Sequence, residues 1–208
     1  MKPLLPICIA LLIAAGCGQR DQAADAVDSR ERPDNPMPEP ADEIAAPGQV
    51  PDGAMAELAS TQGNTATGSL ALSAEDAGGV RITGALQGLK PNGEYGFHIH
   101  EKGDCSAPDA SSAGAHFNPT NAQHGNPEGE AHHAGDMLNA KSDGNGVATI
   151  DTVAKGVTLH SGQPTDVLGK AIVLHEKADD YTTQPSGDSG SRIACGVITV
   201  QANAQTTG

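Results

Sequence analysis

The chain has 208 residues, with 26 acidic side chains against 12 basic ones and a formal net charge of −14. That balance excludes nucleic acid as a partner, because binding a phosphate backbone requires a basic footprint. With no Trp and only two Tyr and two Phe, the core of any folded part must be built mainly from Val, Ile, Leu and Ala.

Residues 1–16 read as an export signal rather than as part of the fold. Lys2 gives a short positive start, and the apolar run from Leu4 to Ala15 is interrupted by Pro6. It is too short to span a bilayer, which takes about twenty residues, but it suits a signal h-region. It ends in Ala14-Ala15-Gly16-Cys17, which resembles the lipobox of bacterial lipoproteins, with Ala14 in place of the usual Leu. That resemblance implies a lipid on Cys17, a membrane anchor and a periplasmic address. An ordinary cleaved signal with Cys17 nearby is the alternative, and either one exports the chain.

Residues 17–53 have the composition of a tether. Six of the fourteen prolines lie between Pro33 and Pro51, and nine acids from Asp21 to Asp52 face three arginines. Few apolar side chains punctuate the stretch, so folding it would not offset the ordering entropy. Residues 54–208 remain as one domain, with eight basic and seventeen acidic side chains. With Cys8 in the signal and Cys17 at the lipid site, Cys105 and Cys195 are left as an even pair in an exported domain, which reads as a disulfide.

The domain reads as all-β. Val80, Ile82 and Leu86 alternate with Arg81, Thr83 and Ala85, the period-2 pattern of a half-buried strand. Leu70 and Leu72 repeat the pattern within Thr67–Ser73, and residues 147–150 and 171–174 are short β-branched runs. Turn chemistry separates them at Asp76-Ala77-Gly78-Gly79, Lys90-Pro91-Asn92-Gly93 and Ser142-Asp143-Gly144-Asn145-Gly146. Short strands at this spacing predict a sandwich or barrel. Two stretches break the rhythm, Glu101 to about His133 and Glu176 to about Ser191. Loops this long in a compact domain are usually functional.

The first of those loops carries four of the eight histidines, and His175 directly precedes the second. In Glu94–His100, Tyr95, Phe97 and Ile99 point one way and His98 and His100 the other, because strand side chains alternate. The apolar set should face the core, which places both imidazoles on the outer face under the two loops. A single histidine here would be read as a surface or hydrogen-bonded group. Six of the eight, grouped around long polar loops, form a pattern that this reading does not explain. His124, His133 and Asp136 with His116 make a three-nitrogen, one-oxygen set suited to a closed zinc site. His98, His100 and His175, again with His116, make an all-imidazole set suited to copper.

Six segments, in order, resemble copper–zinc superoxide dismutase. They are Gly-Phe-His-Ile-His-Glu (96–101), Gly-Ala-His-Phe-Asn-Pro (114–119), His-Gly-Asn-Pro (124–127), His-Ala-Gly-Asp (133–136), Val-Leu-His-Glu-Lys-Ala-Asp-Asp (173–180) and Gly-Ser-Arg-Ile-Ala-Cys-Gly-Val-Ile (190–198). The resemblance runs from about residue 56 to 201. It implies an eight-stranded antiparallel Greek-key β-barrel, an immunoglobulin-like sandwich with two long functional loops. It further implies one copper and one zinc ion per subunit. His98, His100, His116 and His175 would hold copper, and His116, His124, His133 and Asp136 zinc.

The same resemblance makes Asp179 the carboxylate linking His98 to His124, Arg192 the cation that receives an anion beside the copper, and Cys105–Cys195 the disulfide tying the first long loop to the last strand. His132 and His160 have no counterpart and read as exposed spares. The implied activity is disproportionation of superoxide to dioxygen and hydrogen peroxide, with His116 and Arg192 as its catalytic residues. The alternative is a copper- or zinc-binding module on the same fold. The loop from Asp179 to Arg192 is shorter than in animal members and lacks their charged set, which leaves Arg192 and Lys177 to steer the anion. Family members differ in whether subunits pair, so a homodimer is admitted but not required.

Overall fold

The computed structural model describes residues 53–201. The expected signal, Cys17 and the tether up to Asp52 lie outside them, as does the end of the domain past Gln201. The strands in chain order are β1 (Gly53–Ser60), β2 (Thr67–Ala74), β3 (Val80–Gln87), β4 (Glu94–Tyr95), β5 (Phe97–His100), β6 (Ala140–Lys141), β7 (Ala148–Ala154), β8 (Ala171–His175) and β9 (Arg192–Val200). One 3-10 turn, Ser111–Ala113, interrupts the first long loop, and no α-helix occurs among the described residues.

Every pairing between these strands is antiparallel. Seven strands form one sheet in the order β5-β8-β9-β1-β2-β3-β7, and β4 pairs with β6. Strands β4 and β5 are one extended run broken at Gly96, so the count of eight strands holds. Because β4 pairs on one side and β5 on the other, that run links the small sheet to the large one. The chain crosses from β3 to β4 and from β7 to β8, joining strands that are not sheet neighbours, and these crossings give the Greek-key order.

Local chemistry sets the turns. Gly78 and Gly79 take φ of 91° and 97° between β2 and β3, a conformation open to glycine at little cost. Between β6 and β7 the Asp143 carboxylate accepts the backbone N–H groups of Asn145 at 2.8 Å and Val147 at 2.9 Å. Such a side chain imitates a backbone turn and fixes the hairpin.

The interior holds alternate residues of each strand, including Ala54, Ala56, Leu58, Leu70, Leu72, Ile82, Leu86, Ile172, Leu174 and Ile198. Tyr95, Phe97 and Ile99 join them, as the strand phase predicts. Phe117 and Met137, both from the first long loop, are also buried there, so that loop contributes to the barrel core. A second, smaller cluster lies on the opposite face of β8 and β9. It consists of Ala110, Ala113, Ala171, Val173 and Cys195, with Cys105 against it. The Cys105–Cys195 disulfide is formed across 90 positions, with Cα atoms 5.8 Å apart. The first loop is therefore fastened over the outer face of β8 and β9 by a covalent bond and its own small core.

Candidate metal centre

The outer face of β5 is where the histidines converge, and backbone register explains how. The free edge of β5 is paired by two pieces of the first loop. Phe117 N–H donates to the Ile99 carbonyl at 2.8 Å, and Ile99 N–H donates to that of Gly135 at 2.9 Å. These contacts set His100 opposite His116 and His98 opposite Asp136. Residues paired across a ladder project from the same face, so all four side chains point outward together. On the other edge His98 pairs with Val173. His175, two residues further along β8, shares that face.

Gly96 leaves room for this arrangement. A Cβ there would come 2.7 Å from that of Ser189 and 3.1 Å from His98 Cε1. The outer face is nonetheless buried, because the loops roof it. His98 and His100 are 0% and 1% exposed.

Two groups result, His98, His100, His116 and His175, and His116, His124, His133 and Asp136. Within each, one donor atom from every residue lies within 4.8 Å of the others. Both are the groups the sequence predicts, and His116 is common to them.

Hydrogen bonds show which nitrogen of each ring points inward. His100 Nδ1 donates to the Gly114 carbonyl at 2.9 Å, which leaves Nε2 as a lone pair facing the first group. His175 Nδ1 lies 3.2 Å from the Gly190 carbonyl and 3.1 Å from Ser189 Oγ, so its Nε2 faces inward as well. His98 is turned the other way, with Nε2 2.7 Å from Asp179 Oδ2 and Nδ1 inward. His124 Nε2 is 3.0 Å from Asp179 Oδ1, which directs its Nδ1 into the second group. Asp179 thus stands between His98 and His124, one oxygen on each.

Asp136 divides its oxygens similarly. Oδ2 accepts the backbone N–H groups of Gly125 at 3.1 Å and His133 at 2.8 Å. Oδ1 lies 2.8 Å from His116 Nδ1 and 3.4 Å from His133 Nδ1. His98 Nδ1, His116 Nε2, His124 Nδ1 and His133 Nδ1 are all buried without a hydrogen-bond partner. His124 Nδ1 is 3.0 Å from Asp136 Oδ2, but the angles make no hydrogen bond. Buried polar atoms are nearly always satisfied, and four orphans in one place call for a ligand.

The electrostatics separate the groups. Burial and the neighbouring imidazoles hold His175 down at about 3 and keep His100 well below its ordinary value. Burial likewise lowers His116 to about 4, against the pull of Asp136. These rings are neutral at pH 7 and can offer lone pairs. Burial would also lower His124, but Asp136 and Asp179 outweigh it and raise that ring to about 9. Burial works against the charge on Asp136, yet His116, His124, His133 and the Gly125 N–H hold its carboxyl far below the usual carboxylate range. Asp179 is held down in the same way by His124 and His98.

A cleft of about 710 Å³ opens onto the first group, lined by His100, His116, His175, Gly190 and Arg192 among others. Arg192 Nη1 donates to the Ala110 carbonyl at 2.6 Å and Nη2 to that of Gly114 at 2.5 Å. Gly114 therefore receives both Arg192 and His100. Burial draws the Arg192 pKa down, but a guanidinium remains charged at any physiological pH. Lys177 does not line the cleft. Its Nζ lies 3.9 Å from Asp188 with both side chains well exposed, a pairing that is weak in water, and Arg192 is the cation that lines the cleft.

Sequence reasoning passed over three residues. Asn139 donates from Nδ2 to the Asp179 carbonyl at 2.9 Å and accepts the Asp179 N–H at 2.8 Å. Gln184 pairs with the backbone of His124, and Ser189 touches His175. An amide or hydroxyl in a polar loop carries no periodic or spacing signal, and these contacts exist only once the loops fold against each other. His132 and His160 are half-buried rather than exposed, and neither belongs to either group.

The family model described as copper/zinc superoxide dismutase matches residues 66–198. The chain is 36% identical over 200 residues to the superoxide dismutase-like protein YojM of Bacillus subtilis, covering 94% of each. It is 44% identical over 150 residues to a Cu-Zn superoxide dismutase of Aquifex aeolicus, covering 70% of this chain and 85% of the relative. A crystal structure of a dismutase-like protein from Bacillus subtilis aligns with a TM-score of 0.62 at 40% identity, over 68% of this chain and 95% of that one.

Proposed function

We propose, from the premise that the chain belongs to the copper/zinc superoxide dismutase family, that it disproportionates superoxide to dioxygen and hydrogen peroxide with one copper and one zinc ion per subunit. In this reading His98 through Nδ1, with His100, His116 and His175 through Nε2, would hold copper. His116, His124 and His133 through Nδ1, with Asp136 through Oδ1, would hold zinc. The donors fit: neutral imidazoles suit copper, and three imidazoles with one carboxylate suit a closed zinc site. The four orphaned ring nitrogens support the same assignment, because a cation in each group would satisfy them. When bound, copper supplies one-electron exchange, which zinc cannot, while zinc supplies fixed positive charge.

The chain's own residues supply the rest. Arg192 presents a charge held in place by two loop carbonyls, so an anion entering the cleft meets a cation that does not have to reorganise. His116 can hold or release a proton at Nε2, on the cleft side, while Nδ1 stays turned to Asp136. Asp179 fixes the rings of His98 and His124, and such partners orient metal-binding histidines and set their tautomers. The observation that carries this reading is the single His116 ring shared by both groups. Protein loaded with one equivalent of each metal should remove superoxide in a cyanide-sensitive manner, well above metal-free protein.

A second reading, a metal-holding protein without turnover, is favoured by one observation. The Bacillus relative that spans nearly the whole chain is named only dismutase-like. Both metals bound with no superoxide removal would establish it. The residues that such a module would be expected to lose, a ligand of the first group or Arg192, are all present.

Our reading also has the chain exported and held in the periplasm by a lipid on Cys17, with residues 17–53 as a spacer, so that it protects the cell envelope. The apolar run before Ala14-Ala15-Gly16-Cys17 supports it. Mass spectrometry of the mature N-terminus should find an acylated Cys17, and an unmodified N-terminus cleaved elsewhere would overturn the anchor.

A further inference from the structure

His124 is buried, and its backbone would be stranded there without help. Among the described residues, its N–H and its carbonyl find a partner in one side chain only. The His124 N–H donates to Gln184 Oε1 at 3.0 Å, and Gln184 Nε2 donates to the His124 carbonyl at 2.9 Å. A carboxamide has one acceptor and two donors, so it can reproduce both halves of a backbone ladder pair. Here it does so across 60 positions, between the two long loops.

Asp179, from the same loop as Gln184, takes the Nε2 end of the His124 ring. Loop 176–191 therefore grips His124 twice, at the ring and at the backbone, while Nδ1 faces the second group. Two small observations extend the chain of contacts. Gly187 packs so close to Asp179 and His124 that a Cβ would overlap the carboxylate, and its N–H donates to the Thr183 carbonyl at 2.7 Å. Pro185 and Ser186, next to Gln184, line the cleft that contains Arg192.

We infer that Gln184 is a positioning residue for the second group: it fixes the His124 backbone so that Nδ1 meets the other donors, and it ties the filling of that group to the cleft wall beside Arg192. This rests on the reading of the second group as a zinc site. Losing the carboxamide leaves the Asp179 contact to the ring but frees the backbone that carries it, so the ring can pivot about Nε2. The first group has no contact with Gln184 and should keep its donors in place.

The test compares full-length wild type with Gln184→Met, which keeps the side-chain length, and Gln184→Ala. Zinc affinity is measured by competition with a chromophoric chelator, and the visible spectrum is recorded with cobalt(II) in the second group. Both variants should bind zinc about ten- to a hundredfold more weakly, the usual cost of losing a partner that orients a ligand. The cobalt bands should shift or lose intensity, while copper affinity at the first group stays at the wild-type value. If Gln184→Ala does not fold, Gln184→Met carries the test.

Wild-type zinc affinity and cobalt spectra in the variants would overturn the inference. Equal weakening at both groups would overturn it too, by reducing Gln184 to a general structural role. If the wild type itself bound no zinc at this group, the metal assignment would fall and the inference with it.

Discussion

The two groups that share His116 are built on different foundations. In the first, His98, His100 and His175 stand on β5 and β8, where ladder register fixes their spacing. In the second, His116, His124, His133 and Asp136 all come from the long connection between β5 and β6. Backbone bridges set His116 and Asp136 against β5, but His124 and His133 are brought in by contacts with side chains, with Asp136 at the centre and Asp179, Gln184 and Asn139 around it. A strand can place two imidazoles on one face by periodicity alone. A loop needs a network, and a network of polar contacts can be taken apart one member at a time.

The largest expected effect follows from this contrast. Replacing a strand-borne ligand, as in His100→Ala, should abolish superoxide removal and leave zinc bound, since the second group keeps every donor. Metal analysis alongside the activity assay checks both halves. Loss of zinc together with activity would mean that the two groups are not separable in the way their construction suggests.

A smaller effect is expected at the cleft. Arg192→Ala should lower the second-order rate by about ten- to a hundredfold at low ionic strength, with both metals retained, because local fixed charge governs the approach of a small anion. Arg192→Lys should recover only part of the rate, because an ammonium cannot reach the Ala110 and Gly114 carbonyls as a fork. A rate equal to wild type in Arg192→Ala would show that the anion is guided by something else.

The smallest effect concerns the metal-free protein. His116 and His175 have folded pKa values of about 4 and about 3, below the ordinary 6.5 of an unfolded chain. Below pH 6.5 the unfolded chain binds protons that the folded rings resist, so these rings make stability fall as pH drops from about 6.5 toward 4. His124, raised to about 9, works in the other direction. Its contribution is fully present below 6.5 and is lost as pH rises through 9. Thermal unfolding of metal-free protein should therefore show its highest midpoint near pH 6.5, declining on both sides. A midpoint that rises steadily from pH 6.5 to 9 would contradict the charge state assigned to His124.

The same contrast decides what the sequence could reveal. The strand-borne half was legible because alternation is a local rule. Tyr95, Phe97 and Ile99 marked the inward phase, so the outward placement of His98 and His100 followed. The two long loops stood out by their length and composition, and the paired cysteines by arithmetic. Strand β1 was harder to see, because alanines carry much of its inward face, at Ala54 and Ala56, and alanine contrasts weakly with its neighbours. The two-residue strand β6 is too short to show any period.

In the loop-borne half the ligands were visible as residue types in motifs, but their support was not. Asn139, Gln184 and Ser189 act through contacts that span from 14 to 60 positions, and nothing local announces them. The resemblance to a known family supplied Asp179, and periodicity could not have done so. Nor does local pattern show that Lys177, expected to help steer the anion, lies outside the cleft lining with its Nζ 3.9 Å from Asp188.

In the proposed function one imidazole, that of His116, serves both groups, and magnetic coupling between two bound metals reports on such sharing. With copper(II) in the first group and cobalt(II) in the second, a shared His116 ring should couple the two paramagnets and suppress the ordinary copper resonance in the electron paramagnetic spectrum. An undisturbed copper signal, with cobalt shown to be bound in the second group, would contradict it.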